Sequence, residues 1–88
     1  MRIKDGFVLR KVMDNYVVVS VGESSKTFRG MIKLNVTAVE IWNGIAAGLD
    51  RNAIVDALLE NYDADLATVE RDVDSTLALL SEQGIVEL

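Results

Sequence analysis

Fourteen carboxylates and nine bases are the charged groups with which this 88-residue sequence could do chemistry, because it contains no histidine and no cysteine. The usual general base and the commonest metal ligands are therefore missing, and so are disulfides. The densest acidic run, Asp63, Asp65, Glu70, Asp72 and Asp74, has the look of a cation site but the wrong spacing. A calcium loop needs glycine at its sixth position and glutamate at its twelfth. A loop opening at Asp63 would place Thr68 and Asp74 there. These acids read instead as solvated helix faces and first-turn charges that favour the helix dipole. Ser24 and Ser25 have no base within motif reach, and Gly22 and Gly30 belong to no phosphate loop. The expectation is a protein with no catalytic centre, no bound metal and no cofactor.

The bases are unevenly placed. Residues 1–33 hold seven of them against three acids, whereas residues 34–88 hold two against eleven. Such a division marks a binding surface more readily than a device for stability. Half of the residues are hydrophobic and about a quarter charged, a globular balance. No apolar run approaches the roughly 18–20 residues of a membrane span, and Met1 to Gly6 lack a signal-peptide core. A single domain over residues 1–88, located in the cytoplasm and off the membrane, is expected.

The elements that would position these groups follow from periodicity. Phe7 to Val12 and the β-branched run Tyr16 to Val21 read as two strands of a hairpin, with Asp14 and Asn15 in the tight turn. A third strand, Lys26 to Leu34, alternates Phe28, Ile32 and Leu34 on one face with Arg29, Met31 and Lys33 on the other. Gly30 interrupts it and suggests a bulge or a close backbone approach. Helices are expected over 36–47, 51–62 and 66–83, capped by Asn35, Asp50 and Asp65. Their apolar stripes are Val36, Val39, Ile41, Trp42 and Ile45, then Ile54, Ala57, Leu58 and Tyr62, then Leu66, Val69, Val73, Leu77 and Leu80. Trp42 lies on such a stripe and reads as core. Gly48 and Gly84 stop the first and third helices, and Ile85 to Leu88 form an apolar tail.

The order is a three-stranded antiparallel sheet over 6–34 followed by three helices, an α+β fold of winged-helix-turn-helix type. Nucleic acid is excluded as a partner by charge. The third helix, where a recognition helix would lie, carries Asp65, Glu70, Asp72, Asp74 and Glu82 against Arg71 alone, and phosphates demand the opposite sign.

What remains is an open sheet edge. The third strand is unblocked, and Thr27, Arg29, Met31 and Lys33 would direct their main-chain N–H and C=O groups away from the sheet, towards any added strand. On the third helix Asp72, Thr76 and Leu79 share one flank beside the core stripe, and Leu79 should be half-buried. Together these residues outline a groove for an extended peptide. Its guest should carry acids opposite Arg29 and Lys33 and an apolar side chain against Met31 and Leu79.

The same residues resemble a known family. Leu9-Arg10-Lys11, Tyr16 to Val19, the stretch Phe28-Arg29-Gly30-Met31-Ile32-Lys33-Leu34-Asn35-Val36-Thr37-Ala38 with Ile41-Trp42, and later Ile54 to Leu58, Asp72-Val73 and Gly84-Ile85-Val86 are similar to the pyrroloquinoline quinone biosynthesis protein D (PqqD) family. Ser20 stands where many members carry proline. The resemblance implies a recognition element for ribosomally made, post-translationally modified peptides. Such an element binds the leader segment of a precursor as an extra antiparallel strand, at Thr27, Phe28, Arg29, Gly30, Met31, Ile32 and Lys33, in the groove beside Asp72, Thr76 and Leu79. It also implies a partner enzyme to which the precursor is presented, often a radical S-adenosylmethionine enzyme. The alternative from a different class is a structural module whose exposed third strand pairs with its own copy in a homodimer.

Overall fold

The computed structural model describes residues 1–22 and 30–88. Strand β1 covers Arg2–Ile3, β2 Phe7–Val12, β3 Asn15–Ser20 and β4 Met31–Leu34; helices α1, α2 and α3 cover Val36–Ala46, Arg51–Asn61 and Leu66–Glu82; and β5 covers Val86–Glu87. Strands β2, β3 and β4 form an antiparallel sheet in that spatial order, and β1 pairs with β5 in a separate two-stranded ribbon. The expected sheet followed by three helices is thus the architecture observed.

The hairpin between β2 and β3 turns on Met13 and Asp14, since Val12 faces Asn15. This shifts the expected turn by one residue, with Asn15 already in the strand. Met13 takes φ +57°, the left-handed conformation a two-residue hairpin demands so that its twist matches the strands. Gly30 lies in a bend, with nothing within 4 Å of a Cβ placed on it; no close backbone approach explains it.

All three helices begin as expected: Asn35, Asp50 and Asp65 accept hydrogen bonds from the N–H groups of Ala38, Ala53 and Thr68 at 2.7–2.8 Å. Helices α1 and α3 end alike, in a left-handed glycine, Gly48 or Gly84. The next N–H then reaches back five residues, from Leu49 to Gly44 and from Ile85 to Leu80.

The core is built from Val18 and Leu34 of the sheet, Ile41, Trp42 and Ile45 of α1, Ile54, Val55 and Leu58 of α2, Val69, Val73, Leu77 and Leu80 of α3, and Ile85 and Val86. Of the expected stripes Val39, Ala57 and Tyr62 are half-buried at its margin, and two residues fall outside it altogether: Val36 and Leu66 are 66% and 53% exposed. Each is the first residue of its helix, and helical side chains lean towards the N-terminus. Both therefore reach beyond the layer that covers their successors. Ala38 takes the buried place in α1 instead.

Candidate functional site

Which main-chain groups of β4 are free follows from the ladder. The Val21 N–H donates to the Gly6 carbonyl at 2.7 Å, continuing the β2–β3 register by one pair. Main-chain groups alternate sides along a strand, so the odd-numbered residues of β3 address β2 and the even-numbered ones address β4. Tyr16 faces Leu34 and Val18 faces Ile32. Ile32 and Leu34 consequently turn their N–H and C=O groups to β3. Met31 and Lys33 turn theirs outward, and no strand among the described residues lies beyond β4. The side chains alternate as well: Leu34 is buried and Ile32 packs against the core, whereas Met31 and Lys33 are exposed.

Two recesses flank this edge. On the face of the sheet away from the helices, Val12, Asn15, Val17, Met31 and Lys33 line a shallow hollow of 310 Å³, with Val17 itself buried. On the helical side, Asn35, Thr37, Asp72, Ser75 and Thr76 line a second of 240 Å³, which joins the end of β4 to α3. Asp72 and Thr76, expected on one flank, do come together there. Leu79 is 41% exposed, as its half-buried position predicted, and borders neither recess. Thr27, Phe28 and Arg29 lie outside the described residues.

An ion-pair cluster ties helix α3 to the start of α2. Arg51, at the start of α2, donates through both Nε and Nη2 to Asp74 at 2.9 Å and pairs with Glu70 at 3.0 Å. The hydrogen bonds to Asp74 and Glu70 push the guanidinium further above its ordinary range, and the Arg51 bond holds the Asp74 carboxyl below its own. A depressed carboxyl contributes stability that is complete above its unfolded value, about pH 4, and is lost as the pH falls through the lower folded value. Melting temperatures followed from about pH 6 to about pH 2 should therefore fall less steeply below pH 4 in Arg51→Gln than in the parent. Parallel curves would show that the cluster contributes nothing. Across the other helix pair, the Tyr62 hydroxyl donates to Glu40 at 3.0 Å.

Residues 15–86 match the family model described as coenzyme PQQ synthesis protein D, PqqD. The chain belongs to the PqqD family. No curated protein sequence matches it. Among solved structures it is similar to TbiB1 in complex with the TbiA(beta) leader peptide, at 28% identity and a TM-score of 0.81, over 99% of this chain and 95% of that one. A lasso peptide synthetase B1 complexed with the leader peptide gives 21% identity and a TM-score of 0.80, over 99% and 96%; at that identity the likeness concerns the fold.

For a PqqD-family chain the resemblance read from Phe28 to Trp42 was therefore sound. Sequence reasoning missed Asn35, Thr37 and Ser75 of the helical-side recess and Val12, Asn15 and Val17 of the other. Asn35 had been absorbed by its role as a helix cap, which occupies only its Oδ1. Ser75 directly precedes Thr76 and lies three residues from Asp72, which puts all three on one flank of α3.

Among the described residues no helix is long and apolar enough to cross a membrane, and no group of three or more His, Asp or Glu side chains is gathered where it could hold a metal.

Proposed function

We propose that this PqqD-family chain is a non-catalytic peptide-binding module. It takes the leader segment of a ribosomally made precursor as an added strand, antiparallel to β4, and presents it to a modifying enzyme. The observation that carries this reading is the outward main chain of Met31 and Lys33, beside a recess that leads to α3. Backbone pairing supplies affinity that tolerates many sequences, and the alternating side chains supply the choice. Lys33 favours an acid in the guest and Met31 an apolar side chain on the same face. The cited solved relatives hold leader peptides, which is the same class of ligand.

The test is residue-resolved amide exchange with synthetic leader peptides, taken from the N-terminal halves of any short precursors that the neighbouring reading frames encode. A bound leader should slow exchange at Met31 and Lys33 and leave Ile32 and Leu34, already bonded to β3, nearly unchanged. Protection of Met31 and Lys33 that rises with protein concentration alone, with no response to any peptide, would instead establish the self-paired homodimer.

A further inference from the structure

We propose that the recess between β4 and α3 is a specificity pocket for a basic side chain, and that the leader therefore carries Lys or Arg immediately before the acid that meets Lys33. This rests on the strand-addition reading and adds to it a residue type and a position.

The chemistry of the lining decides the guest. All five side chains are polar: Asn35, Thr37, Asp72, Ser75 and Thr76. Asn35 Oδ1 is taken by the Ala38 N–H. The Asp72 carboxylate has a distant neighbour in Arg71, at 3.9 Å with that side chain 73% exposed, too far for a hydrogen bond. An ionised carboxylate accepts only, and the three hydroxyls can accept as well. The hydroxyls and the Asn35 Nδ2 can also donate, but the one charged group of the lining, Asp72, only accepts, so it is the carboxylate that tips the pocket towards N–H donors. A cationic donor is favoured over a carboxamide because hydrogen bonds between charged partners are roughly twice as strong as neutral ones. The N-terminal end of α1 opposes a cation with roughly half a charge, fading within one turn. The full charge of Asp72 outweighs it.

The register fixes the position. A strand hydrogen-bonded to the outward groups of Met31 and Lys33 places the side chains facing those two residues on the open side of the sheet. Those facing Ile32 and Leu34 fall on the helical side. The residue facing Leu34 is the one that reaches the recess, which opens at the next position, Asn35. In an antiparallel guest it directly precedes the residue facing Lys33.

A display library of random twelve-residue peptides, panned against the folded protein, tests this. The selected peptides should share a Lys or Arg followed at once by Asp or Glu. A representative synthetic peptide should bind about tenfold more weakly to Asp72→Lys, with affinity returning when its basic residue is replaced by Glu. Asp72 is exposed, so the variant should fold, as its melting curve will verify. Selected peptides without the basic–acidic pair, a carboxamide preference, or indifference to Asp72→Lys would overturn the inference. If that indifference coexists with loss of binding in Met31→Pro, strand addition stands and only the pocket assignment falls. Binding that survives Met31→Pro removes both.

Discussion

Lys33→Pro should weaken peptide capture by roughly 30- to 150-fold, the equivalent of about 2–3 kcal/mol, while leaving the domain folded. Lys33 directs its N–H away from β3, so proline there removes no bond of the β3–β4 ladder. Proline is tolerated on an edge strand when its missing donor faces solvent. The residue before it, Ile32, already lies in a strand, which is the conformation that precedes proline most readily. The guest, however, loses a donor for one of its carbonyls and meets the pyrrolidine ring where its backbone should lie. Lys33→Gln separates the lost charge from the lost N–H and should have a much smaller effect. Ile32→Pro provides the opposite control: its N–H serves β3, so the domain itself should lose about 1–3 kcal/mol. Calorimetric titration with a bound leader peptide, alongside melting followed through the buried Trp42, reads all three. Equal affinities for Lys33→Pro and Lys33→Gln would refute the outward edge as the binding surface.

The parts of this molecule that could be read in advance were those where one local rule acts alone. The spacing of Val69, Val73, Leu77 and Leu80 announces a buried stripe, and all four are at most 7% exposed. Asn35, Asp50 and Asp65 announced three helix starts, because a side chain that accepts an N–H three residues on needs nothing from the rest of the fold. Val36 and Leu66 obeyed the same periodicity and failed, since periodicity places a residue on a face without showing where the covering layer stops. The site was half legible for a related reason. Alternation along Met31 to Leu34 is local and held. That Asn35 and Thr37 would meet Asp72 and Ser75 depends on how α3 lies against the start of α1, a tertiary relation no local pattern carries. The ribbon of β1 and β5 joins residues 83 and 85 positions apart with two residues a side, too short to leave a period in the sequence.

That ribbon bears on the second substitution, Ile85→Ala, which should destabilise the domain by about 2–5 kcal/mol. By sequence, Ile85 opened an apolar tail; in the structure it is fully buried. Its N–H closes the end of α3 on Leu80, and its carbonyl accepts the Lys4 N–H at 2.8 Å. Val86, facing Ile3, is 2% exposed and completes the seal between α3 and the N-terminal strand. A domain of this size is stable by only about 4–13 kcal/mol in all, so one truncated side chain removes a large share. The melting temperature should fall by roughly 10–30 °C. Arg2→Ala, which breaks only the exposed Arg2–Glu87 pair at 3.3 Å, should change stability by less than about 1 kcal/mol. Urea unfolding at an unchanged slope would assign the Ile85 loss to the native core, whereas an effect no larger than that of Arg2→Ala would show that the tail is not part of it. The functional consequence follows from position: Ile85 anchors the helix whose Asp72 and Thr76 wall the recess. Ile85→Ala should therefore weaken leader binding even well below its melting temperature, although Ile85 lines neither recess.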